Sequence, residues 1–252
     1  MTVCLVLRLA GPLQSWGTQS QFRRRDTAAE PTKSGIVGLL AAALGRRRVD
    51  PIEDLVALEL GTRVDRRGTL LRDYHTLSDY RGRPLLSVSV GGDGRQKPVS
   101  TGSTTAVTRR FYLADAVFVA AIGGAPDVLT ALAAAVRRPA FPLALGRRCC
   151  PPTVPLMLPT ADGSALWDGS PLDVLHTVPW QGGRRRGPGH PDGPLPVIVD
   201  DTQGSEQRRD VPTSFAPRDR GFTTRRVRTE WVLLGGTPPA DPPHDPFALL
   251  GW

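Results

Sequence analysis

The 252-residue chain carries 32 Lys and Arg against 24 Asp and Glu, a formal charge of +8. Its 40% hydrophobic content excludes an intrinsically disordered chain and suffices for a real core, in one large domain or two small ones. No apolar run approaches the roughly 20 residues of a membrane span, and three cysteines with no C-x-x-C exclude a disulfide framework.

A basic excess of this size favours a polyanionic partner, usually nucleic acid, through release of condensed counterions. Only Lys33 and Lys97 are lysines. GC-rich coding accounts for arginine over lysine but not for the excess of base over acid. The cysteine usage, and an N-terminus that opens on a strand rather than a secretory signal, lead us to expect a reduced, cytoplasmic protein.

Val3 to Leu9 (VCLVLRL) reads as a mostly buried first strand, ended by Gly11-Pro12. The loop beyond holds Gln14, Trp16 and the triplet Arg23-Arg24-Arg25. From Ser34 to Leu44 the apolar residues share one helical face, and Gly45 stops the helix. Pro51 opens a short second helix. Leu58 to Val64 and Thr69 to Leu77 flank Asp65-Arg66-Arg67-Gly68 and predict a hairpin. Residues from about 78 to 105 are rich in Gly, Ser, Thr and Arg, with a turn at Gly91 to Gly94, and predict a long solvent-reaching β-hairpin arm. Val107 to Tyr112 and Ala116 to Ile122 return to strand. Pro126 to Arg138 is an amphipathic helix, and Phe141 to Leu145 reads as a strand.

The pattern to residue 150 predicts an α+β fold, a modified RNA-recognition (ferredoxin-like) palm with an inserted β-hairpin thumb. Residues 151–252 read as a Pro/Arg-rich C-terminal extension with few regular elements: a helix near Leu172 to His176, strands at Val197 to Val199 and Val227 to Leu234, a loop at Gly182 to Gly193, and a tail carrying Phe247, Leu249, Leu250 and Trp252.

Several constellations carry chemistry. Arg23, Arg24 and Arg25 are a phosphate clamp or a solvated loop. Trp16 either stacks a base, worth roughly 1–3 kcal/mol, or anchors its loop in the core. Lys33-Ser34-Gly35 resembles the end of a Walker loop, but the upstream glycines are absent, which argues against nucleotide hydrolysis. The helix start there still offers free amides to an anion. Arg109-Arg110 and Arg147-Arg148 are basic strand-edge pairs that together suggest a continuous groove. Tyr74, His75 and Lys33 are residue types that cleave RNA without metal, one group removing the 2′-hydroxyl proton while a cation stabilises the phosphorane. The four histidines lack ligand spacing, so no metal and no cofactor is expected.

The ordered segments LRLAGPLQSWG (Leu7 to Gly17), PTKSGIVGLLAAALG (Pro31 to Gly45), RVDRRGTLLRDYHT (Arg63 to Thr76), VTRRFYLADAVF (Val107 to Phe118) and PLALGRRCCPP (Pro142 to Pro152) resemble the CasD branch of the Cas-five family, subunits of the type I-E CRISPR surveillance complex Cascade. The resemblance spans residues 7 to about 152. It implies a non-catalytic, RNA-binding scaffold for antiviral defence. Such a subunit holds the 5′ handle of crRNA and caps the backbone filament, touching a Cas-seven backbone subunit and the large PAM-reading subunit. It implies handle contacts at Gln14, Trp16, Lys33, Ser34, Arg109, Arg110, Arg147 and Arg148. Arg23 to Arg25 match no family motif and serve RNA, target DNA or a neighbouring subunit by their charge alone. A sister branch cuts repeat RNA with this fold, so metal-independent endoribonuclease activity through Tyr74, His75 and Lys33 is the alternative.

Overall fold

Strand β1 (Val3–Ala10) is apolar at almost every position, the pattern of a strand buried on both faces. The short β2 (Leu13–Gln14) and β3 (Arg24–Arg25) follow. Helix α1 (Lys33–Ala43) begins at Thr32, whose hydroxyl accepts from the Gly35 N–H at 3.2 Å, and is followed by Gly45 at φ +78°. The single-turn α2 (Glu53–Val56) leads into β4 (Glu59–Arg66) and β5 (Thr69–Ser78). Next come β6 (Leu86–Val90), β7 (Gln96–Pro98), β8 (Thr105–Ala114) and β9 (Val117–Gly124). Helix α3 (Pro126–Arg137), with proline in its first turn, turns Leu129, Leu132, Ala133 and Val136 inward. The chain closes with β10 (Leu166–Asp168), α4 (Pro171–Thr177), β11 (Leu195–Asp200), β12 (Glu206–Ser214) and β13 (Gly221–Val232). This computed structural model describes residues 2–17, 24–78, 81, 86–90, 96–98, 105–183 and 193–234. The expectations for Arg23, the Gly91 to Gly94 turn, residues 184–192 of the Gly182 to Gly193 loop and the tail beyond Leu234 fall outside them.

The main sheet has seven antiparallel strands in the order β10-β1-β9-β4-β11-β13-β12. Strand alternation divides its side chains between two apolar layers. Leu5, Leu7 and Leu9 of β1 and Phe118, Ala120 and Ile122 of β9 meet α1, α2 and α3. Cys4, Val6, Val119, Ala121, Val197 and Val199 meet α4 on the opposite face. Each of the leucine, valine, isoleucine and phenylalanine side chains among them, fully buried, contributes about 1.5–3 kcal/mol. Trp16 belongs to the first layer: its ring lies over Gly35 of α1, where an added Cβ would come within 2.6 Å of the indole.

The α4 face also buries an ion pair. Arg63 on β4 is 0% exposed. Its Nε and one terminal nitrogen donate to the two Asp65 carboxylate oxygens at 2.6 and 3.0 Å. Its remaining donors reach the carbonyls of Leu175, Val178 and Pro179 at and beyond the end of α4. Asp65 accepts in turn from the Gln181 N–H. The guanidinium thus binds α4 to the sheet by satisfying carbonyls that the helix leaves open.

A second, smaller sheet centres on β8. It pairs with β5 along ten positions, from Thr69↔Ala114 to Ser78↔Thr105. Its other edge takes β2, antiparallel, and β3, parallel. Beyond the stem, β6 and β7 pair antiparallel.

Four expectations need correction. The two strands predicted around Asp65 to Gly68 exist but do not pair with one another: β4 lies between β9 and β11 of the main sheet, whereas β5 joins β8. Gly68, at φ +71° against the Ala114 carbonyl, makes the step between sheets. Phe141 to Leu145 is not a strand. Its backbone closes other segments instead: the Ala140 and Phe141 N–H groups donate to Ala43 and Ala42, and the Leu145 carbonyl accepts from Ser15. The boundary at residue 150 does not hold, because β11, β12 and β13 extend the sheet begun by β1. The region beyond residue 150 is also richer in regular structure than expected, with β10 and β12 unforeseen.

Candidate nucleic-acid interface

The start of α1 is closed to an outside anion. The Lys33 N–H donates to Asp210 at 2.8 Å, and the Lys33 ammonium pairs with Asp200 at 2.8 Å. Arg225 bridges the two acids, holding Asp210 at 2.7 and 2.9 Å and pairing also with Asp200. Burial disfavours the Arg225 cation, but the Asp210 and Asp200 carboxylates outweigh it and hold the guanidinium above its ordinary value. Ser34 is buried, its hydroxyl 3.2 Å from that of Thr32. Lys33 and Arg225 therefore tie α1 to β11, β12 and β13, and the helix dipole already faces a carboxylate. Asp200 is a hub of this cluster, pairing with both Lys33 and Arg225.

The Gln14-Trp16 loop is likewise turned inward. Trp16 has no exposed surface, so of its two readings the core anchor holds and no face is left for stacking. Gln14 donates to the Leu9 and Ala116 carbonyls at 2.9 and 2.8 Å and accepts from the Trp16 Nε1–H at 3.2 Å. Arg147 is a clasp: it donates to Phe111, Arg25 and Asp26 carbonyls and lies 5.0 Å from the Tyr112 ring centroid. These bonds pin β3 onto β8. Arg148 is exposed and makes no hydrogen bond or ion pair among the described residues.

What the pinned strand does is align two arginine pairs. The parallel register sets Arg24 beside Arg109 and Arg25 beside Arg110. On the other side of β8, Tyr74 stands opposite Arg109 and Arg72 opposite Phe111. Opposed residues share a face, and alternate residues along a strand return to it. One face of the small sheet therefore presents Arg24, Arg72, Tyr74, Arg109 and Phe111. Tyr74 is 66% exposed. Arg72 and Arg109 are exposed without polar partners among the described residues. Arg24 pairs with Asp26 at 2.8 Å and lies 5.1 Å from the Phe111 ring centroid. Arg25 and Arg110 take the opposite face, where Arg110 donates to Thr108 at 3.3 Å.

The same geometry bears on Tyr74, His75 and Lys33. Tyr74 and His75 are consecutive on β5 and point to opposite faces, while Lys33 is engaged with Asp200 at the main sheet. The structure does not bring the three together. Among the described residues no cluster of His, Cys, Asp and Glu could hold a metal ion, and no helix is long and apolar enough to cross a membrane.

The cysteines are all free, and only Cys149 is exposed. Burial, reinforced by Glu59 and Asp173, pushes the Cys4 thiol up to about 12, and burial with neighbouring Cys149 pushes Cys150 to about 12. At pH 8 the native protein should therefore take up one equivalent of a thiol reagent rapidly, at Cys149, and the other two only on unfolding. Peptide mapping of the alkylated protein reads this directly. Fast labelling of Cys4 or Cys150 would contradict the packing.

Fold and surface together define an α+β protein whose second sheet exposes a basic, aromatic strand face. A family model described as CRISPR-associated protein (Cas_Cas5) matches residues 4–228. The CRISPR system Cascade subunit CasD of Escherichia coli (strain K12) is 38% identical over 179 residues, 64% of this chain and 72% of that protein. Among solved structures, a chain of a CRISPR RNA-guided surveillance complex matches with TM-score 0.73 at 34% identity, over 96% of this chain and 95% of the other. A crystal structure of a Cas protein matches with TM-score 0.67 at 35% identity, over 93% and 100%. The chain belongs to the Cas-five family of CRISPR-associated proteins.

Proposed function

We propose that this protein is the Cas-five subunit of a Cascade-type surveillance complex, a non-catalytic scaffold that binds the 5′ handle of crRNA in antiviral defence. The observation that carries the reading is the convergence of Arg24, Arg72 and Arg109 with Tyr74 and Phe111 on one open strand face. Guanidinium groups neutralise phosphates, and exposed rings accept unstacked bases, so such a face suits a splayed single strand. β1, α1, β4, β9, α3 and β10 follow the β-α-β-β-α-β order of an RNA-recognition-type palm. The β5-β8 stem with β6 and β7 beyond it is then the thumb, inserted between β4 and β9. Arg25, Arg110 and Arg148, off the main face, are available to a second length of RNA or to the Cas-seven and PAM-reading neighbours.

Tyr74→Ala should weaken handle binding by about 1–3 kcal/mol, the range for loss of one stacked base. Its exposure predicts an unchanged melting temperature. Removing Arg24, Arg72 and Arg109 together should flatten the dependence of log K on log salt by about 2, at about 0.7 per phosphate contact on a single strand. Fluorescence anisotropy with handle and scrambled RNA at matched salt measures both effects. Unchanged affinity in the triple variant would remove this face from the site. Incubation with repeat RNA in chelator tests the non-catalytic part, and site-specific cleavage would overturn it.

A further inference from the structure

Cys149 and Cys150 are adjacent in the chain but stand in different surroundings. Cys149 is exposed, whereas Cys150 is buried in the first apolar layer. Their Sγ atoms are only 4.0 Å apart, and the Tyr112 hydroxyl lies 3.6 Å from the Cys149 sulfur. Burial, then the bond with Cys149, hold that hydroxyl above its ordinary value, so it stays protonated and can donate to a thiolate. The Arg147 guanidinium, 5.0 Å from the same ring, supplies a cation. An exposed sulfur beside a donor and a cation is the setting of a reactive thiol, and a second sulfur in contact is its resolving partner.

The pair sits in the loop that fastens β3. The Leu145 N–H donates to the Cys150 carbonyl at 2.7 Å, and the Cys150 N–H donates to the Arg147 carbonyl at 2.9 Å. The second bond closes a turn from Arg147 to Cys150. Its donor belongs to the peptide that joins the two cysteines. Arg147 in turn grips the Arg25 and Asp26 carbonyls at 2.6 and 3.3 Å. Three linked bonds thus run from the cysteine–cysteine peptide to the placement of β3, and with it Arg24.

We propose that Cys149 and Cys150 are a reversible oxidation site, at which hydrogen peroxide makes a disulfide that releases β3 from β8. The Cys149 sulfur attacks one peroxide oxygen and the O–O bond breaks. Hydroxide leaves with the thiol proton as water, and Cys149 becomes a sulfenic acid. The Cys150 sulfur then attacks the Cys149 sulfur. The S–S bond forms, the S–O bond breaks, and the departing hydroxide takes the Cys150 proton as a second water. Two thiols are oxidised and one peroxide is reduced. Burial, then Cys149, push the Cys150 thiol up to about 12, which protects it from outside reagents. Contact with the sulfenic acid replaces that lost reactivity by proximity. Adjacent Cα atoms lie about 3.8 Å apart across a trans peptide, less than the roughly 4.4–6.8 Å usual for a disulfide. The new bond therefore twists its own peptide, breaks the Cys150 contact with Arg147 and draws Arg147 off the β3 carbonyls. The same strain makes it easy to reduce.

The consequence for RNA rests on the function proposed above, whereas the chemistry and the release of β3 do not. Intact-mass measurement of the full chain after peroxide treatment should show the loss of two hydrogens, restored by dithiothreitol. Cys149→Ser, an exposed change, should show no such loss. Hydrogen exchange at residues 24–27 should rise about tenfold or more in the oxidised protein, with β1 and β9 unchanged. Affinity for handle RNA should fall about tenfold, the worth of one charge-assisted contact. Oxygen added at Cys149 without a disulfide, or a disulfide joining two chains, would overturn the site. A disulfide with unchanged exchange at residues 24–27 would overturn its coupling to β3. Faster exchange there with unchanged RNA affinity supports the switch and counts instead against the RNA face.

Discussion

Arg63→Ala is expected to lower unfolding stability by about 3–5 kcal/mol, the range for breaking a buried ion pair from one side. The cost comes from what is left behind. Asp65 would remain buried with its charge unmatched, and the carbonyls of Leu175, Val178 and Pro179 would lose their donors with no route to water. Lysine does not rescue the site, because an ammonium has three donors and no fork to meet a carboxylate and three carbonyls together. Replacing both Arg63 and Asp65 with leucine should cost less than either alanine change, since no charge is then stranded. Chemical denaturation of the wild type, the two alanine variants and the double leucine variant measures the comparison. An Arg63→Ala loss below about 1 kcal/mol would show that the pair is not holding α4.

Trp16→Ala should cost a similar amount, about 3–5 kcal/mol, by removing a large aromatic side chain from the core. The indole fills the space over Gly35, and its Nε1–H orients Gln14, which in turn ties the end of β1 to Ala116. Trp16→Phe should keep most of the packing and lose the bond to Gln14. The outcome separates two roles. A core residue lowers the melting temperature whether RNA is present or not. A stacking residue lowers affinity and leaves the free protein's melting temperature alone. We expect the first pattern for Trp16 and the second for Tyr74.

The legible parts of this fold are those in which one periodicity dominates. β1, β9 and β11 are continuous apolar runs, and α1 and α3 repeat their buried residues at helical spacing. Arg63 and Asp65 were hidden because a charged residue inside a strand reads as its solvent side, whereas here that side lies under α4. β12, with Glu206 to Asp210 at its start, has too much charge to announce itself as strand. The proposed RNA face was half visible. Arg24 and Arg109 stand out as charge, but they meet only through a parallel pairing between residues 85 apart, which no local pattern records. Arg72 and Tyr74, and Arg109 and Phe111, alternate on neighbouring strands, and that alternation was the available signal for the face. Trp16 was open between base and core in the sequence, and Gly35, which makes room for the indole, decides for the core.

The most direct test of the central claim is ultraviolet crosslinking of crRNA in the assembled ribonucleoprotein, with the modified peptides mapped by mass spectrometry. Crosslinks from the 5′ handle should fall on Tyr74 and Phe111, in peptides covering Arg72 to Thr76 and Arg109 to Phe111. Handle crosslinks confined to other surfaces, with Tyr74 and Phe111 unmodified, would contradict the account.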